Sequence, residues 1–194
     1  GGRPAGRAGG QVIAFDVNWR HSLADLHRAL NAVLPDSIAI LELEQAADRF
    51  HPRYDAVSRE YRYSLINTPV RDPLSIRYAL HVPHPLDVVL MQRALSMLEG
   101  EHDFAAFGQP TVGESTIRSI YRARLSAAAG RISIDVQANG FLYRMVRRIV
   151  GTLLMVGRGD LTDAEFARIL ESADPARAGP AAAPNGLCLT KVNY

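Results

Sequence analysis

The side chains best suited to chemistry in this chain are arginines and tyrosines, and they are concentrated. Between Arg118 and Arg148 the sequence places Arg118, Arg122, Arg124, Arg131, Arg144, Arg147 and Arg148 against a single acid, Asp135. The planar arginine fork donates two parallel hydrogen bonds to a phosphate and stacks on bases, so this window suits a nucleic-acid surface. A second reading is a general arginine bias in an alanine-rich chain: of 22 basic residues only Lys191 is lysine. That bias explains the arginine-to-lysine ratio but not the missing acids. Tyr61 and Tyr63, interleaved with Arg59 and Arg62, fit either a base-stacking platform or two core tyrosines of a half-buried strand. His51, His81, His84 and His102 lack metal-ligand spacing, and we read none of them as a ligand. No phosphate loop and no serine nucleophile elbow occurs.

The element that positions most of these arginines is an apolar stretch from Phe141 to Val156, predicted as a helix. At 100° per residue, Leu142, Met145, Val146, Ile149, Val150, Leu153 and Val156 form one broad apolar arc. Arg144 and Arg148 fall opposite with Gly151 and read as a solvated face. Arg147 lies at the rim beside Tyr143 and Leu154. It suits a cation entering a cleft to meet a carboxylate or phosphate, and equally a solvated rim residue.

Further predicted helices run from Ser22 to Leu34, from about Leu86 to Leu98, and onward from Thr162, where Thr162 and Glu165 form a capping box. Strands are predicted at Gln11–Val17, Ser37–Leu43, Arg59–Ile66 and Leu187–Val192, with a hairpin made of Ile117–Ser126 and Arg131–Ala138. Strands and helices do not alternate as parallel units, so the class is α+β with an antiparallel sheet.

The chain has 194 residues, 47% of them hydrophobic, and a formal net charge of +2. That length buries a real core without staples. One cysteine, Cys188, excludes a disulfide framework and a multi-cysteine zinc site. No apolar run approaches the ~20 residues of a membrane span, and no signal peptide opens the chain, which points to a cytoplasmic protein. The start at Gly1, without Met, reads as a fragment or a processed product.

Three blocks, FHPRYDAVSREYRY (Phe50 to Tyr63), GEHDFAAF (Gly100 to Phe107) and ANGFLYRMVRRIVGTLLMVGRG (Ala138 to Gly159), resemble in order and spacing the TruA family of tRNA pseudouridine synthases. LNAVLPDSIAI (Leu30 to Ile40) and AGPAAAPNGLCLTKVNY (Ala178 to Tyr194) resemble it as well. The resemblance implies a two-domain α+β fold with a shared antiparallel sheet flanked by helices, a basic cleft and a homodimer. It implies isomerisation of uridine to pseudouridine in the tRNA anticodon stem-loop, with no metal and no cofactor. By that resemblance Tyr61 packs on the flipped base, Arg147 pairs with the catalytic Asp, and Leu187 lines the uracil pocket. The family often has His and Asn where this chain has Arg144 and Arg148.

The family's nucleophile lies in a GRTDAGVHA motif just before a GQV strand. Here GQV is Gly10 to Val12, and GGRPAGRAG precedes it, so Pro4 or Arg3 holds the Asp position. Asp16, the first Asp, falls inside the following strand, where the family carries an acid that is not the nucleophile. Residues 1–50 are therefore expected to be the remnant of an N-terminal domain lacking its first strand and helix, and residues 51–194 the C-terminal domain. We expect the chain as written to be inactive, whether as a truncated or frame-shifted product of a longer enzyme or as a tRNA-binding paralogue. An unpaired sheet edge would leave it poorly soluble or dependent on dimerisation.

Overall fold

The computed structural model describes residues 7–110 and 113–194. Val12–Asp55 forms one compact unit, and the remaining described residues form another. In chain order the elements are β1 (Arg7–Ala8), α1 (Leu23–Val33), β2 (Ser58–Ile66), β3 (Leu80–His81), α2 (Val88–Ser96), β4 (Gly100–Asp103), β5 (Ile117–Ala128), β6 (Arg131–Ala138), α3 (Met145–Arg158), α4 (Asp163–Ser172) and β7 (Leu187–Asn193).

The larger unit is built on a seven-stranded sheet ordered β1-β7-β2-β6-β5-β4, with β3 paired to β2 off that path. The hairpin forms, β5 and β6 turning through Ala129 and Gly130 at φ 48 and 72. The sheet is nevertheless mixed rather than antiparallel: β1 runs parallel to β7, and β3 parallel to β2. Both additions are two-residue pieces reached by long connections, and only a tight turn obliges its two strands to be antiparallel.

Alternation along β6 decides which face of the sheet is covered. Ile132, Ile134, Val136 and Ala138 are buried, whereas Ser133, Asp135 and Gln137 are half-exposed. Antiparallel pairs tolerate one solvated face, so this period-two pattern needs helices on one side only. Helices α2, α3 and α4 pack on one another and on the sheet. Met91, Leu95, Ile149, Leu153 and Phe166 join the buried strand residues in one core.

Local signals set the helix ends. Thr162 and Glu165 make the expected capping box on α4, and Ser22 and Asp25 make one on α1. The Asp87 side chain caps α2, and its own N–H donates to the Gly157 carbonyl at 2.8 Å, tying α2 to the end of α3.

Helix α3 begins at Met145, four residues later than its periodicity predicts. The Tyr143 N–H donates instead to the Gln109 carbonyl (2.8 Å), and Arg144 turns left-handed at φ 63. The arc opposite the core, read from sequence as solvated, is covered at Gly151 by a strap over residues 178–183. The Gly179 N–H donates to Thr152 Oγ1 at 2.9 Å, and the Ala182 N–H to the Arg147 carbonyl at 2.9 Å.

The smaller unit departs furthest from the sequence reading. Its helix α1 forms, but neither Gln11–Val17 nor Ser37–Leu43 is a strand. At Ile40 the backbone groups that a ladder would use are taken by α1: Asn31 Oδ1 accepts from its N–H (2.8 Å), and Asn31 Nδ2 donates to its carbonyl (3.0 Å). Ile13, Phe15 and Val17 alternate as a strand should, but all three are exposed, with no neighbouring strand among the described residues to complete a sheet. Among the described residues no helix is long and apolar enough to cross a membrane.

Gly151 gives a direct test of the strap. A Cβ at this position would stand 1.8 Å from the Pro180 carbonyl oxygen, a backbone atom that cannot move without breaking the strap's bonds. Alanine gains up to about 1 kcal/mol in helix propensity over glycine, but overpacking costs about 1–3 kcal/mol, so the clash wins. Gly151→Ala is expected to lower the urea midpoint, and an unchanged midpoint would show that the strap is not tightly seated.

Candidate functional site

A pocket of about 220 Å³ opens where β2, β7 and the entry to α3 meet. Tyr61, Leu187 and residues 141–147 line it, so Tyr61, Arg147 and Leu187 converge there from three distant parts of the chain. Its size suits one nucleobase rather than a stem.

The sheet sets the first two walls. Tyr61 lies opposite Val136 of β6 and Leu189 of β7, while Leu187 lies opposite Tyr63. The two tyrosines on one strand therefore divide the alternatives left open by sequence. Tyr63 is fully buried and belongs to the core, whereas Tyr61 is half-buried on the pocket wall. The Tyr61 ring meets Phe141 edge-on, with centroids 5.0 Å apart and planes at 83°. Phe141, absent from the sequence-based site, orients the ring; its only advance signal was its place in the block around Arg147.

Arg147 supplies the charge. Its Nε donates to the Ala182 carbonyl at 2.6 Å, and the Ala182 N–H donates back to the Arg147 carbonyl at 2.9 Å. One strap residue thus holds both ends of this arginine, which lines the pocket and is half-buried. Among the described residues no carboxylate forms an ion pair with Arg147. The position expected for a nucleophile, Pro4 or Arg3, lies outside the described residues.

The arginine window is less uniformly basic in space than in sequence. Arg124 pairs with Glu99 at 3.6 Å and Arg131 with Asp72 at 3.2 Å, both acids lying outside the window. Arg118 donates to the Ser115 and Ile117 carbonyls. Arg148, read from sequence as solvated, donates to the Pro175 carbonyl. Arg144 and Arg147 are the members that line the pocket. Among the described residues no group of three His, Cys, Asp or Glu side chains has the arrangement to hold a metal ion.

Tyr63 anchors the next strap residue, its hydroxyl donating to the Ala183 carbonyl at 2.5 Å. Burial pushes its phenol well above the ordinary tyrosine range, and the nearby Arg147 cation offsets only part of that shift. In the unfolded chain the same phenol ionises near pH 10. Above that pH the unfolded state releases a proton that the folded state retains, so stability is lost as pH rises. Urea titrations are expected to show stability falling above about pH 10. Tyr63→Phe should begin about 1 kcal/mol less stable, through loss of one buried hydrogen bond, and decline less steeply. Equal slopes for the two proteins would remove Tyr63 as the cause.

The chain is similar in sequence to known proteins. A sequence profile of the tRNA pseudouridine synthase family matches residues 94–194. The chain is 40% identical over 185 residues to tRNA pseudouridine synthase A of Thermoanaerobacter sp. (strain X514), covering 95% of this chain and 76% of that protein. It is 44% identical over 191 residues to tRNA pseudouridine synthase A of Roseiflexus castenholzii, covering 96% and 70%. To the protein of that name from Neisseria gonorrhoeae it is 40% identical over 188 residues, covering 96% and 71%. The profile match and identity of this level along nearly the whole chain place the chain in the tRNA pseudouridine synthase family.

Proposed function

We propose that the pocket receives a uridine flipped out of the anticodon stem-loop of tRNA, for isomerisation to pseudouridine. The observation that carries this reading is the convergence of Tyr61, Arg147 and Leu187 on one small cavity. Tyr61 packs on the extruded base, Leu187 forms the apolar wall beside it, and Arg147 holds a carboxylate in register with the reacting sugar. Flipping costs a few kcal/mol of lost stacking, returned by the ring contact and by phosphate contacts. The chain works as a homodimer in the cytoplasm.

The reaction breaks the C1′–N1 bond of uridine and forms C1′–C5. The C5 proton leaves, and N1 ends with a proton of its own. Atoms and electrons balance without an oxidant or reductant. In the family's reaction an Asp carboxylate acts on the nucleotide to release the base, which turns in the pocket before bonding again. Arg147, fixed through Nε, keeps its two terminal nitrogens for that carboxylate in a fork-to-fork pair.

The described start of the chain enters the sheet beside the pocket wall. At β1, Arg7 lies opposite Cys188, the neighbour of Leu187. Gly9 and Gly10 both donate to the Leu189 carbonyl, at 2.8 and 3.2 Å. A Cβ on Gly10 would stand 2.4 Å from the Thr190 carbonyl oxygen, so this approach to β7 requires glycine.

Residues 1–10 contain no Asp and no Glu. Residues 1–10 therefore supply no carboxylate for the covalent step, and the chain as given binds tRNA through the pocket and its surroundings. Tritium release from tRNA labelled at uracil C5 is the test. The chain as it stands is expected to remain at background, and replacing residues 1–9 with GRTDAGVHA to start release. Release by the unaltered chain would overturn the nucleophile assignment. A replaced chain that binds tRNA in a salt-dependent way yet releases nothing would favour a binding protein over an enzyme.

A further inference from the structure

Arg144 has no part in the scheme above, and its setting is unusual. It precedes α3 in the left-handed region, at φ 63 and ψ 5, where glycine is the favoured residue, and its side chain makes no capping bond. Its guanidinium carbon instead sits 5.0 Å from the centre of the Tyr143 ring. Both side chains are exposed, and both residues line the pocket. Among the described residues no carboxylate forms an ion pair with Arg144, in contrast to Arg124 with Glu99 and Arg131 with Asp72.

A guanidinium resting on an aromatic ring has one face covered, while its N–H donors point outward in its own plane. That arrangement suits a planar, two-point contact with an anionic oxygen pair, and the charge is not already neutralised by an acid. A nucleotide entering the pocket brings its own phosphates to the rim. Resting on the reading of the pocket as a nucleotide site, we propose that Arg144 is a substrate-binding residue that takes an RNA backbone phosphate flanking the flipped uridine, with Tyr143 as the platform that holds it.

The backbone geometry makes the test clean. Arg144→Gly removes the guanidinium and puts a residue suited to φ 63 in its place, so its melting temperature should match or exceed that of the unaltered protein. Binding of unmodified tRNA, followed between about 50 and 200 mM salt, should nevertheless weaken. One lost phosphate contact on single-stranded RNA reduces the slope of log affinity against log salt by about 0.7, so the unaltered chain should lose about threefold more affinity than the variant across that range. Arg144→Lys should retain the slope, because the charge is kept. Arg131→Ala should leave it unchanged, because Asp72 already pairs with that charge.

Unaltered affinity and slope in Arg144→Gly would overturn the assignment, as would a loss limited to one loop sequence with the slope intact, which marks a base contact. A depressed melting temperature together with a lost slope in Arg144→Lys would also overturn it, in favour of a structural role. If the unaltered chain itself fails to bind tRNA, the nucleotide-site reading falls, and this assignment with it. That failure is distinguishable because it appears before any substitution is made.

Discussion

The structure around the pocket depends on a close approach of backbone to backbone. The strap over residues 178–183 lies so near α3 that only glycine fits at position 151. From that contact, Ala182 engages Arg147 through main chain and side chain together, and Ala183 accepts the Tyr63 hydroxyl. An arginine has many rotamers, and ordering one in a site carries an entropy cost. Here that ordering is built into the folded protein, because Nε is bonded to a carbonyl that is itself held by the helix. The guanidinium enters the pocket with its direction already set, which is what a fork-to-fork pairing with a carboxylate requires.

Charge in this protein is arranged by the fold rather than by chain position. The window from Arg118 to Arg148 looks like a continuous basic surface in one dimension. In three dimensions, Glu99 and Asp72 meet two of its members, backbone carbonyls accept from two more, and the pocket takes Arg144 and Arg147. Exposed pairs such as Arg131 with Asp72 add little stability, because solvent screens them. Their clearer effect is to confine the unneutralised positive charge to fewer places, the pocket rim among them. On the function proposed above, that distribution draws an anionic polymer toward the cavity.

Much of the main framework was legible beforehand. The β5–β6 hairpin, β7, the capping box of α4 and the β2 faces bearing Tyr61 and Tyr63 follow from period-two and period-3.6 patterns that burial enforces. The failures share a cause. Gln11–Val17 and Ser37–Leu43 have strand patterns, but a strand also needs a neighbour, and at Ile40 the side chain of Asn31 occupies the ladder positions. The α3 start was misplaced because the Tyr143 N–H bonds to Gln109, a partner 34 positions away along the chain. Parallel pairing of β1 and β3 was equally invisible, since short segments carry no mark of the direction they will run.

By itself the sequence determined the family and the α+β class, because residue types and their spacing are what chemistry and periodicity act on. The linear blocks singled out Tyr61, Arg147 and Leu187, and the fold brings these three to one pocket. Only the tertiary structure decided that Tyr63 is core while Tyr61 is pocket, that Arg147 faces the cavity while Arg148 is tied to the Pro175 carbonyl, and that Arg144 rests on Tyr143. The deciding partners are backbone carbonyls and rings brought near by folding. A carbonyl is the same in every residue, so no reading of residue types reveals which one an arginine will meet.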